Sequence, residues 1–222
     1  MPELVLWDID HTLMATRGLG RDLWAEAFAD VTGTAMRQQA SVTGSTERVI
    51  LRETALLHGI PYTEDLFAAF AEALGAVHVR RAAELRERGH ASPGAAEILA
   101  ELSERGVRQT VVTGNVRAAA EVKLTAFGLG GHMLWSEGAY GEDGEGRPEL
   151  LRTALARAGV QGSAAVFFGD TPADAVGGRE AGVRVVAVAT GRASAMELRA
   201  AGAADVLESL SDVPAVPAAV GV

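Results

Sequence analysis

Near its N-terminus the chain reads LVLWDIDHTL, where an apolar run stops abruptly at two carboxylates, Asp8 and Asp10, one residue apart. Two later apolar runs also stop at polar groups. RQTVV runs into Thr113-Gly114-Asn115, and AAVFF runs into Gly169-Asp170, with Asp174 four residues on. In an open parallel sheet, ligands bind beyond the carboxyl ends of the strands. If these three strands are neighbours, their ends converge on one crevice. Several carboxylates in one crevice need a cation, and hard oxygen donors without cysteine point to Mg²⁺. Asp8 and Asp170 are the natural direct ligands, while Asp174 either ligates or holds a metal-bound water. With the charge offset, Asp8 can act as a nucleophile on phosphorus. Asp10 can serve as general acid and base. A single D-x-D equally marks a loop turn or a helix cap.

The other polar ends fit the same chemistry. The Thr113 hydroxyl, the Gly114 amide and a helix N-terminus just after Asn115 would cradle a phosphate, though the same residues also make an ordinary capped turn. A phosphoryl group in transfer needs a fixed positive charge as well. Arg147, in EGRPELL at a helix start, is the preferred candidate. Lys123, the only lysine, is the reserve, because it lies about 12 Å into the helix after Thr113. Either could instead be a surface cation.

These residues need a scaffold. Leu4–Trp7, 107–112, 133–135 (weaker), 164–168 and 183–189 read as short strands apolar on both faces, the mark of a parallel sheet covered on both sides. Helical patterns separate most of them, so the fold class is α/β with a doubly wound parallel sheet. Between Leu13 and about Gly89 the signals are helical only, with Thr63 as a cap, which predicts an inserted helical domain. A helix is expected to follow Ser92 as N-cap and Pro93 at its first position, with Gly106 as the stop. The expected division is 1–13 and 91–213 as core, 14–90 as helical insertion and 214–222 as a peripheral tail.

Composition narrows the function. Of 222 residues, 48% are hydrophobic and 22% charged, enough for a real core. A formal charge of −9 with no basic stretch argues against a nucleic-acid binder. The absence of cysteine excludes disulfides and thiolate catalysis. With no signal-like N-terminus and no run of about 18 apolar residues, the expectation is a cytoplasmic protein with no membrane span.

The motifs DIDHT, VVTGN and FFGDTPAD, in this order and with a helical insertion in the first gap, resemble the haloacid dehalogenase-like (HAD) superfamily. The resemblance spans essentially the whole chain and is nearest to helical-cap members of the phosphoglycolate phosphatase-like group. It implies a Rossmann-like core with an α-helical cap and a Mg²⁺-dependent aspartyl-phosphate mechanism acting on a small phosphorylated metabolite. Carried over to this chain, it makes Asp8 the nucleophile and Asp10 the general acid/base, whose backbone carbonyl also touches the metal. Thr113 binds the phosphoryl group, Asp170 ligates the metal and Asp174 supports it. An acid at Asp10 points to phosphate chemistry over dehalogenation, and a lysine-free 14–90 segment excludes imine chemistry from the cap. Two positions depart from the family pattern: His11 stands where a glycine is usual, and Arg147 where a lysine is usual.

SVTGSTERVI resembles the cap loop that faces the active site in such enzymes. His11, Thr12, Gly44, Ser45, Arg48, Gly114 and Asn115 are therefore expected at the substrate, although Ser45 or Thr46 also suits a plain helix cap. Two alternatives stay open: a phosphomutase of the β-phosphoglucomutase kind, and a non-catalytic binding or regulatory protein on the same scaffold.

Overall fold

The computed structural model describes residues 2–211. Its centre is a five-stranded parallel sheet built from β1 (Leu4–Trp7), β4 (Arg108–Val111), β5 (Ala165–Gly169), β6 (Arg184–Val188) and β7 (Asp205–Leu207), in the order β4-β1-β5-β6-β7. The central strands β1, β5 and β6 carry apolar side chains to both faces. Leu4 and Leu6 join Phe167, Val185 and the helix α7 (Arg147–Ala158) on one side. Val5 and Trp7 join Phe168, Val186 and the larger core on the other. Trp7 stacks on Phe168 with ring centroids 4.4 Å apart, and its indole N–H donates to Gln109 Oε1 at 3.1 Å. Burying aromatic pairs of this kind contributes roughly 0.5–1.5 kcal/mol beyond the area they remove from water.

Helices α5 (Ala95–Glu104), α6 (Arg117–Ala126), α7, α8 (Pro172–Ala181) and α9 (Ala195–Ala201) connect the strands. Between β1 and β4 the chain inserts α1 (Leu19–Thr32), α2 (Glu47–Leu57), α3 (Glu64–Arg80) and α4 (Ala82–Arg88). Two short antiparallel strands, β2 (Met14–Ala15) and β3 (His90–Ala91), tie the two ends of the insertion together. The fold is thus an α/β parallel-sheet core carrying an inserted helical cap. Thr63 caps α3 by accepting the Leu66 N–H at 3.1 Å, and Thr46 caps α2 by accepting that of Val49 at 3.4 Å. No helix among the described residues is long and apolar enough to cross a membrane.

Several expectations are corrected. Residues 133–135 form no strand, because the chain leaves a short 3₁₀ turn there and only Ala139 bridges Val112 at that edge. The fifth strand is β7, whose three half-buried residues give too short a pattern to stand out. Helix α5 starts after Gly94 in place of Ser92, and Ser92 donates its N–H to the Leu13 carbonyl. The last two residues of the expected core, 212–213, and the expected tail, 214–222, lie outside the described residues.

Candidate active site

Strand register brings the polar ends together. Trp7 pairs with Val111 on one side and Phe168 on the other, so the residues that follow each leave the sheet at the same edge. The Asp8 N–H donates to the Phe168 carbonyl at 2.8 Å, and the Val112 N–H to the Trp7 carbonyl at 2.8 Å. A cavity of about 240 Å³ opens above this edge. Asp8, Asp10, His11, Thr113, Gly114, Asn115, Arg147 and Asp170 line its floor, and Gly44, Ser45, Glu47 and Trp24 reach it from the insertion.

The charged groups fall into two clusters. The first surrounds Asp8. Arg147, at the start of α7, is buried with its Nη2 3.4 Å from Asp8 Oδ1 and its Nε 2.5 Å from Asp174 Oδ1. Its Nη1 donates to the Val112 carbonyl at 3.2 Å, which links the cation to the end of β4. One oxygen each of Asp8, Asp170 and Asp174 lies within 4.8 Å of the others. Burial, with the neighbouring carboxylates adding to it, pushes Asp8 up to about 7 and Asp170 up to about 9, and Arg147 only partly counteracts this. One guanidinium cannot offset three buried acids, so this set of hard oxygen donors fits a divalent cation.

The second cluster surrounds Asp10. Lys123 Nζ lies 2.8 and 2.7 Å from the two Asp10 oxygens and 2.6 Å from Asn115 Oδ1. Asn115 Nδ2 donates to Asp10 Oδ2 and to Thr113 Oγ1, each at 2.7 Å. Burial pushes the Asp10 carboxyl up, but the Lys123 charge and the Lys123 and Asn115 hydrogen bonds outweigh it and hold the group below its ordinary value. The side chains of Asp10 and Asp8 are thus held in opposite electrostatic settings two residues apart.

Several predicted site residues stand elsewhere or do other work. The Asp10 carboxylate is bound to Lys123 and Asn115, in keeping with the expectation that only its backbone carbonyl would meet a metal. Asp174 closes a capping box on α8: its Oδ2 accepts the Thr171 N–H at 3.0 Å and hydroxyl at 2.7 Å, while Oδ1 faces Arg147. Asp174 therefore orients Arg147 and α8 and is still one of the three buried acids close enough to share a cation. Thr12 is fully buried beneath the floor, 3.5 Å from Asp170 Oδ1, and supports that acid without facing the cavity. Arg48 points away from the cavity. It pairs with Glu64, donates to the Glu142 carbonyl at 3.0 Å and lies over the Phe67 ring. Its neighbour Glu47 turns inward in its place, because the first turn of α2 puts successive side chains on different faces.

His11 has φ 64°, in the left-handed region, which accounts for the glycine usual there in the family pattern. Its ring is exposed at the cavity mouth and its carbonyl accepts the Thr190 hydroxyl at 2.5 Å. Lys123 reaches the site because α6 begins only at Arg117, later than the anion-cradle residues suggest. The β6–α9 loop gave no sequence signal, yet Gly191 packs so tightly on Asp170 that a Cβ there would meet Oδ2 at 1.9 Å.

The insertion is seated on this floor. A Cβ on Gly114 would meet the Ser45 carbonyl oxygen at 2.3 Å, and the Glu47 N–H donates to the Gly114 carbonyl at 2.8 Å. The cap loop and the Thr113 strand end therefore share one backbone contact.

The model of the haloacid dehalogenase-like hydrolases matches residues 2–182. The chain belongs to this family. Among its relatives, phosphoglycolate phosphatase of Rhodospirillum rubrum is 26% identical over 223 residues, covering 96% of this chain and 90% of the relative. A hydrolase from Pseudomonas syringae has the same fold, with a TM-score of 0.70 at 20% identity over 97% of both chains. A variant of CbbY from Rhodobacter sphaeroides, in complex with xylulose-(1,5)bisphosphate, superposes with a TM-score of 0.65 at 21% identity over 96% of both chains. As a HAD-like hydrolase the chain is an enzyme.

Proposed function

We propose that this HAD-like enzyme is a Mg²⁺-dependent phosphatase that hydrolyses a small phosphorylated metabolite through an aspartyl-phosphate intermediate. The observation that carries this reading is the separation of roles between Asp8 and Asp10. Asp8 is buried beside Arg147 and Asp170, where a phosphoryl group would meet a fixed guanidinium. Asp10 is gripped by Lys123 and Asn115, which hold its carboxylate facing the cavity for proton transfer. Asp8 and Asp170 would hold the metal, which when bound neutralises charge on the phosphoryl oxygens.

In this reading, Asp8 attacks phosphorus while Asp10 gives a proton to the departing alkoxide. Asp10 then takes a proton from the water that attacks the phosphoryl-aspartate, releasing phosphate and regenerating Asp8. The Thr113 hydroxyl and Arg147 stabilise negative charge on the transferring group, and the Gly114 and Asn115 backbone extends that cradle. Residues 14–90 act as the cap over a core whose described part is 2–13 and 91–211, with the β2–β3 pair tying the two ends of the cap together. Gly44 and Ser45 seat the cap on the catalytic edge and shield the cavity from water.

The test is phosphate release from an aryl phosphate and a panel of small phosphomonoesters with added Mg²⁺. Turnover by the native protein, lost in Asp8→Asn, supports the reading. Transfer to a sugar monophosphate from a sugar bisphosphate without phosphate release overturns it in favour of a mutase.

A further inference from the structure

Glu47 has no part in the chemistry above, yet it is a buried acid in the wall of the catalytic cavity. Its place is built. The Glu47 N–H is pinned to the Gly114 carbonyl at 2.8 Å, next to the residue that cradles the phosphoryl group. The Trp24 indole N–H donates to Glu47 Oε2 at 2.5 Å, and Trp24 is itself buried against Phe28 and Phe70. A carboxylate held this firmly lines the cavity from the insertion, where the leaving group would lie if the strand ends take the phosphoryl group.

We infer that Glu47 is a specificity residue that selects phosphomonoesters whose leaving group ends in a hydrogen-bond donor, hydroxyl or ammonium, and rejects those ending in a carboxylate or second phosphate. The inference rests on the phosphatase reading of the same site. A donor on the leaving group satisfies an acceptor that cannot reach bulk water, whereas a second anion meets a like charge in a low-dielectric pocket. The charges facing Glu47 are Lys123, which favours its ionised form, and Asp10 and Glu142, which oppose it; burial is the largest influence and pushes it up to about 7. Arg21 and Arg192 also line the cavity, but both are exposed, and water and salt weaken their pull on an anion relative to a buried group.

The experiment is calorimetric binding, with Mg²⁺ present and at about pH 8, where Glu47 is mostly ionised, of three non-hydrolysable phosphonates of equal length. These are hydroxypropylphosphonate, aminopropylphosphonate and phosphonopropionate. The native protein is expected to bind the acid at least ~10-fold more weakly than the better of the other two. In Glu47→Gln that gap closes to about threefold or less. Trp24→Phe, which keeps the ring and removes the donor, is expected to narrow it part-way. Equal or tighter binding of phosphonopropionate, no binding of any of the three, or a gap unchanged in folded Glu47→Gln overturns the inference. The expected binding order without phosphate release from the matching esters overturns the phosphatase reading and leaves the selectivity standing.

Discussion

The ammonium of Lys123 sits 2.8 and 2.7 Å from the two carboxylate oxygens of Asp10, so the chain's only lysine is committed to one acid of the crevice. Arg147 is committed to the other side of the crevice, against Asp8 and Asp174. In the proposed mechanism the two cations divide the electrostatic work of the site between the group that attacks and the group that moves a proton.

Lys123→Met removes the main favourable influence on the Asp10 carboxylate while burial continues to oppose its ionised form. The Asp10 pKa rises, so the limb of the kcat–pH profile that it sets moves to higher pH: the acid limb where taking the water proton is rate-limiting, the basic limb where giving the proton to the leaving group is. Profiles of the two proteins on the same substrate check this, and a profile with neither limb moved speaks against Asp10 as the proton carrier.

Arg147→Lys keeps the charge but loses the fork that spans Asp8, Asp174 and the Val112 carbonyl. A loss of roughly 10²-fold in kcat is expected, of the size seen when one donor to a developing charge is removed. Arg147→Ala leaves buried Asp174 and Asp8 uncompensated and is expected to cost about 3–5 kcal/mol of stability. Thermal unfolding beside steady-state kinetics separates the two effects.

Gly114→Ala drives a Cβ into the Ser45 carbonyl, a contact the backbone cannot relieve by a rotamer change. The cap loop must lift off the catalytic edge. KM is expected to rise and stability to fall by ~1–3 kcal/mol, read by kinetics and urea unfolding.

Asp8 and Asp170 have folded-state pKa values raised from 3.8 to about 7 and about 9. The folded protein then binds more protons than the unfolded chain across that window, so stability falls as pH rises from about 5 to 9 in the absence of a divalent ion. Added Mg²⁺ is expected to raise Tm, and to do so more at pH 8 than at pH 6, because protons and metal compete for the same oxygens. A Tm insensitive to Mg²⁺ across this range contradicts the assignment of these acids as metal ligands.

Much of the core was legible because the physics is local. An apolar run ended by DID, TGN or GD announces a buried strand opening onto a polar edge, and a parallel sheet needs little more to align those edges. Asp174 lies with Asp8 and Asp170 as its position after β5 suggests, but its second task, capping α8 and facing Arg147, needed the tertiary position of Arg147 to be seen. Arg48 and Glu47 were effectively exchanged. Adjacent residues on a first helical turn face different ways, and the start of α2 cannot be set to one residue from sequence. Lys123 was discounted for depth along its helix, yet the late start of α6 and the length of a lysine side chain bring its ammonium to Asp10. His11 keeps a glycine-like backbone while carrying a ring, so a backbone requirement showed in the sequence only as a departure from a pattern.

The central claim is that Asp8 carries the phosphoryl group. Rapid acid quench of the enzyme turning over a phosphorylated substrate with Mg²⁺, followed by peptide mapping, tests it directly. The account predicts a phosphoryl group on the peptide containing Asp8 and neither modification nor turnover in Asp8→Asn. Turnover with no phosphoryl-protein, a phosphoryl group on another residue, or activity surviving in Asp8→Asn would contradict it.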